Sequence, residues 1–220
     1  MSIRLTAEAL GTSTLVYVVV GSGVAAETLS ADPGVQLVAH ALAVGLGLAA
    51  LIAMFQTVSG SHFNPAVTLA FWRTGEMGGG ELVRYMTAQV FGAIVGVAAA
   101  NGSFGERVIA IATTTREGVG QVIAETIATF VLVLIILALV RTTRSRAVVG
   151  AWVAAAVFAT SSTGFANPAV TIARIFTDTY TRIAPGSAPS FLVAQLVAGL
   201  AAAVVALPLF SERVKETART

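Results

Sequence analysis

The sequence predicts an all-α membrane protein with six transmembrane helices, two re-entrant half-helices, and a three-helix unit repeated upside down. Three observations carry that prediction. The 220-residue chain is 56% hydrophobic and only 11% charged, whereas a soluble domain of this length needs far more charge on its surface. Six apolar stretches, at 5–27, 36–59, 82–101, 119–140, 147–163 and 188–210, reach or approach the ~20 residues that cross a ~30 Å hydrocarbon core. One short phrase, Asn-Pro-Ala-Val-Thr, is written at 64–68 and again at 167–171.

Taken in order, the first stretch ends in "GVAAE", whose small residues resemble a secretory cleavage site. Glu8 lies inside it, where a signal sequence tolerates charge badly, so 5–27 reads as an uncleaved first span. Turn signals separate the later spans: "SADPG" at 30–34, "TGEMGGG" at 74–80, "NGSFG" at 101–105 and "APGSAP" at 184–189. Two shorter apolar segments begin at Asn64 and Asn167. At roughly 9–11 residues and ~1.5 Å per residue, each covers about half the hydrocarbon core. The whole chain, 1–220, is read as one transmembrane domain.

Basic residues set the expected orientation. With the N-terminus cytoplasmic, Arg4, Arg73, Arg84, Arg141, Arg144, Arg146, Arg213, Lys215 and Arg219 lie inside, and Arg107, Arg116, Arg174 and Arg182 outside. That division follows the positive-inside rule. It places both termini in the cytoplasm of a multi-pass protein of the inner (plasma) membrane.

The two halves echo each other. "AEALGTSTLV" (7–16) matches "AETIATFVLV" (124–133), aligning Glu8 with Glu125; "TAQVFGA" (87–93) matches "VAQLVAG" (193–199), aligning Gln89 with Gln195. The units run 1–110 and 118–212. Each holds three full spans, an odd number, so the second sits upside down. The half-helices then enter from opposite faces and meet near the midplane.

At that meeting point the motif has a physical task. Asn is a preferred N-cap and Pro a preferred first helical residue, so Asn64-Pro65-Ala66 and Asn167-Pro168-Ala169 each start a half-helix. The Asn oxygen accepts from free first-turn amides, and its NH₂ is left to donate into a lumen. Two facing helix N-termini make a positive zone that opposes cations and hydronium while tolerating neutral solutes.

"SGSHFNPAVT" (59–68), "TGFANPAVT" (163–171) and the AExxGT of the first span together resemble the aquaporins, the major intrinsic protein family, over nearly the whole chain. The resemblance implies the aquaporin fold, one pore per subunit, and a homotetramer in a lipid bilayer. It implies that Glu8 and Glu125 accept hydrogen bonds from backbone amides of the re-entrant loops; the competing reading of these acids is a proton relay. His62 is a candidate for the cytoplasmic vestibule, or simply part of the loop.

The resemblance also places a four-residue selectivity filter. Its positions map to Val44, to Ala156 or Ala155, to Phe165 or Gly164, and to Val170, which occupies the seat usually held by an arginine. Such a ring has no charge and no hydrogen-bond donor among its side chains. It is similar to that of bacterial aquaglyceroporins of arsenic-resistance operons, which implies passage of glycerol, urea and arsenous-acid-type metalloid hydroxides along with water, protons excluded. Arg174, four residues after Val170, has two readings: charge supplied to the outer mouth, or, favoured here, snorkelling or pairing with Asp178.

Other functions fit less well. A water-selective aquaporin would carry His or Arg in the ring. An ion-coupled transporter would need a titrating Glu8 or Glu125. A structural junction protein has no support beyond the fold. With no cysteine and with His40 and His62 far apart, no metal centre or cofactor is expected. No nucleophile–base pair suggests an enzyme, and the net charge of +2 gives no reason to expect nucleic acid.

Overall fold

The computed structural model describes residues 2–139 and 145–210. Arg141, Arg144, Arg213, Lys215 and Arg219, used in the orientation argument, lie outside the described residues. In chain order the helices are α1 (Ile3–Leu29), α2 (Pro33–Ser59), α3 (Pro65–Arg73), α4 (Gly79–Ser103), α5 (Val119–Leu139), α6 (Ser145–Ala159), α7 (Pro168–Ala173) and α8 (Ala188–Leu209). A 3₁₀ turn, Arg174–Phe176, continues α7. The described residues contain no strand.

Helices α1, α2, α4, α5 and α8 are each long and apolar enough to cross a membrane. The remaining span, the fifth in chain order, is shorter than the sequence suggests. It was expected to run to 163, but α6 stops at Ala159. Thr160 N and Thr163 N close turns onto the carbonyls of Ala156 and Thr160. Thr163 (φ +59°) and Gly164 (φ +50°) then leave helical geometry altogether. Residues 160–163 are needed to enter the loop that leads to α7, so hydropathy alone overextends the helix.

Proline and polar caps fix the helix starts. Asp32 Oδ1 accepts from Gly34 N (2.7 Å) and Val35 N (3.0 Å), with Pro33 opening α2. At its other end α2 stops at Gly60, whose φ of +89° is left-handed, a conformation glycine adopts without steric cost.

Small residues let the long helices touch backbone to backbone. A Cβ on Gly92 of α4 would stand 2.2 Å from the Ala9 carbonyl oxygen of α1, and one on Gly96 would stand 2.2 Å from that of Ser13. Helices α2 and α6 meet reciprocally: a Cβ on Gly45 would lie 2.5 Å from the Gly150 oxygen, and one on Gly150 would lie 2.4 Å from the Gly45 oxygen. The half-helices cross between halves, α3 packing on α8 and α7 on α4. Each short helix is therefore held by long helices from the other end of the chain. Leu10, Leu42, Leu46, Phe91, Ile123 and Ile127 point outward and are exposed, as lipid-facing positions of a helix that is apolar all round.

Candidate channel site

The two half-helices meet at their N-termini. Asn64 Oδ1 caps α3 by accepting from Ala66 N (2.9 Å), and Asn167 Oδ1 caps α7 by accepting from Ala169 N (3.0 Å). Pro65 and Pro168 are the first helical residues, and Ala66 and Ala169 are fully buried behind them. The side-chain amides also cross. Asn64 Nδ2 donates to Ala166 O (2.7 Å), and Asn167 Nδ2 donates to Phe63 O (2.8 Å). An NH₂ carries two donor hydrogens, so one from each Asn ties the loops together and the other remains. Sequence reasoning gave the whole NH₂ to the lumen; the structure divides it between loop and cavity.

That exchange depends on unusual backbone. Gly60, Ser61 and Phe63 have φ of +89°, +54° and +48°; Thr163, Gly164 and Ala166, at the matching positions before the second Asn, have +59°, +50° and +47°. Non-glycine residues in this region cost about 1–3 kcal/mol each and persist only when their surroundings hold them. Buried carboxylates do the holding. Glu8 accepts from His62 N (3.0 Å), Phe63 N (2.7 Å), Ser59 Oγ (2.6 Å) and Gln89 Nε2 (2.8 Å). Glu125 accepts from Phe165 N (2.9 Å), Ala166 N (2.9 Å) and Gln195 Nε2 (2.6 Å). Both side chains are fully buried, and each intramembrane carboxylate has found several donors.

The glutamines extend the network to the half-helices. Gln89 Nε2 donates to Thr68 Oγ1 (2.8 Å) and Gln195 Nε2 to Thr171 Oγ1 (2.9 Å). Sequence comparison paired these glutamines by position without a role. Their recurrence across the two halves, parallel to that of the two glutamates, was the available signal, and Ser59 gave none.

A cavity runs beside these contacts. Asn64 and Asn167 line it, with Phe63 and Ala166. On the Arg174 side its wall includes Val44, Val157, Val170, Gly164 and Phe165, so both alternatives at the fourth filter position face it. The span-five assignment needs correction. Ala155 is exposed, and Ala156 is buried with its backbone against Gly164, where a Cβ would come within 2.8 Å of the Ala156 carbonyl carbon. Val149, Val153 and Val157 line the cavity from α6 instead. Their spacing of four residues is a single helical face, and that stripe was the signal overlooked.

His62 lines the other end. Its ring stacks on Phe71 (4.4 Å between centroids), and Nδ1 lies 3.1 Å from Thr68 Oγ1. The positions matching His62 and Phe71 in the second half are Phe165 and Arg174, and these too are stacked: the Arg174 guanidinium carbon lies 3.2 Å from the Phe165 ring centroid. Arg174 neither snorkels nor pairs with Asp178. It is buried in the cavity wall and its Nε donates to Thr181 O. Asp178 instead faces Arg182 (3.7 Å) and accepts from Thr113 N (3.0 Å) and Thr113 Oγ1 (3.1 Å).

The 104–118 segment, read in sequence only as a break between spans, braces this end. Ala110 N and Ala112 N donate to Phe176 O and Ile175 O, and Ala184 N donates to Thr114 O. Arg116 Nε donates to Arg182 O (2.8 Å), and its guanidinium lies 5.2 Å from the Phe165 centroid. Burial lowers the Arg116 pKa from its ordinary value; Glu125 opposes the shift and Arg182 adds to it.

A helical membrane protein whose two half-helices meet end to end beside a buried cavity is built as a channel. The chain belongs to the Major intrinsic protein family, which matches residues 2–162. It is 43% identical over 201 residues to the aquaglyceroporin AqpS of Rhizobium meliloti (strain 1021), covering 90% of this chain and 86% of that one. To the probable aquaporin AqpM of Archaeoglobus fulgidus it is 33% identical over 164 residues, 61% of this chain and 63% of the relative. The X-ray structure of the aquaglyceroporin from Plasmodium falciparum has the same fold, with a TM-score of 0.76 at 22% identity over 92% of this chain and 94% of that one.

Proposed function

We propose that this channel passes small uncharged solutes, glycerol, urea and arsenous-acid-type metalloid hydroxides among them, together with water, and excludes protons. The observation that carries the reading is the wall formed by Val44, Val157 and Val170 with Gly164 and Phe165. None of these side chains donates a hydrogen bond or carries charge. A neutral polyol crosses such a collar with its hydroxyls satisfied by water, by the two Asn amides and by one another. An ion crossing the same collar would shed hydration with nothing to replace it, and the N-termini of α3 and α7 oppose cations further.

In this reading Asn64, Pro65, Ala66, Asn167, Pro168 and Ala169 form the central constriction. Val44, Phe165 and Val170 belong to the filter, joined by Val157 in place of Ala156. Glu8 and Glu125 fix the re-entrant loops, and His62 lines the cytoplasmic vestibule. The two halves, 1–110 and 118–212, are inverted copies. The protein works as a homotetramer in the bacterial plasma membrane with both termini cytoplasmic, which makes the Arg174 end the outer mouth.

Hydrogen bonds to Glu8 and Glu125 weigh against the coupled-transporter alternative, since each carboxylate is committed to loop amides and a glutamine. Labelled glycerol uptake into proteoliposomes tests the point. A passive channel gives initial rates linear in glycerol concentration and unchanged by an imposed proton gradient. Saturation, or uphill uptake driven by the gradient, would establish coupling instead.

A further inference from the structure

Val170 leaves the filter without its usual cation, yet the structure places a charged and a polar side chain one helical turn away from it. Arg174 follows Val170 by four residues, and His40 precedes Val44 by four. Both line the cavity that Val44 and Val170 line. Counting outward from the Asn-capped end of α7, and backward along α2 toward Pro33, both displacements run toward the same mouth. The two side chains also share a wall: the His40 ring lies edge-on to Tyr180 (5.7 Å), and Arg174 Nε donates to the carbonyl of Thr181.

We propose that Arg174 and His40 form a polar selectivity station one turn outside the apolar ring, where Arg174 repels cations and both side chains offer hydrogen bonds to entering neutral hydroxyl solutes. Geometry supplies each part. The Phe165 face, 3.2 Å from the guanidinium carbon, and the Thr181 carbonyl fix the guanidinium plane. Arg carries five N–H donors, and Nε–H is the one bonded to protein among the described residues. No carboxylate pairs with Arg174 among them either, so its charge acts on the cavity. His40 Nδ1 is held 2.8 Å from Ser22 Oγ, which leaves Nε2 as its free ring nitrogen among the described residues.

The division of labour differs from a filter that combines charge and constriction in one ring. Here the collar side chains are apolar and the charge is held against their outer side, with the Arg174 guanidinium stacked on Phe165 and tied to the Thr181 carbonyl. A solute meets donors first and the greasy collar second.

This inference rests on the channel reading above, and the experiment separates the two. Full-length protein is reconstituted in liposomes, and uptake of methylammonium, water flux and glycerol flux are measured for wild type, Arg174→Gln, Arg174→Lys and His40→Asp. Arg174→Gln removes the charge, whereas His40→Asp neutralises it from across the wall while leaving Arg174 in place. Both should raise methylammonium uptake by about tenfold or more, the scale of one unit charge acting over about 12 Å at an effective dielectric of ~20. Water flux should persist, and Arg174→Lys should remain cation-tight. If either variant keeps water flux yet stays as cation-tight as wild type, the station is refuted. If Arg174→Lys leaks as much as Arg174→Gln, the side chain acts through packing rather than charge, and the proposal fails on that count. Absence of glycerol flux in wild type would overturn the channel reading instead.

Discussion

On the proposed reading, Val170 and Arg174 divide between them what one arginine does in the usual filter. Val170 is 4% exposed and lies on the cavity wall beside Val44, so an arginine there would project into the collar itself. Val170→Arg is therefore expected to lower glycerol flux by about tenfold or more, roughly the effect of 1.4 kcal/mol on a rate, while water flux survives. Light scattering of proteoliposomes under glycerol and sucrose gradients reads both quantities. Unchanged glycerol flux would mean that Val170 is not at the constriction. The valine was legible in the sequence because the motif fixes its register. Arg174 was placed in the right neighbourhood with the wrong partner, because spacing offers Asp178 at one helical turn. The 3₁₀ turn at Arg174–Phe176 ends the helix before that spacing applies.

Elements show the same division between what pattern reveals and what packing decides. Hydropathy found every long helix, and Asn-Pro found both half-helix starts, since capping and proline chemistry are local. The end of α6 and its inward face were not legible, because the demands of the loop from Thr160 to Ala166 set them. The re-entrant loops depend on one acid each. In Glu125→Gln, one amide oxygen replaces two carboxylate oxygens, and the new NH₂ confronts donors from Phe165, Ala166 or Gln195. An unmatched buried donor costs roughly 1–3 kcal/mol. The variant should unfold at a lower temperature in detergent, and glycerol flux should fall with it. Equal thermal stability would show that the loop is held by packing alone.

At the scale of the molecule, two interlocked halves enclose a cavity whose centre is polar and whose flank is apolar. The interlock was foreseeable from an odd number of spans per unit, because a second unit of three spans must reverse its direction. What the chain could not announce was how the halves are tied: Asn64 to Ala166, Asn167 to Phe63, and Gly45 against Gly150. These contacts join residues far apart in sequence, and no local pattern marks them. On the proposed reading, an apolar collar admits solutes larger than water. Proteoliposomes shrunk by a glycerol gradient test it directly. Rapid shrinkage followed by reswelling as glycerol enters is expected, with shrinkage alone under an equal sucrose gradient. Fast shrinkage without reswelling in glycerol would make this a water channel and rule out passage of glycerol through the collar.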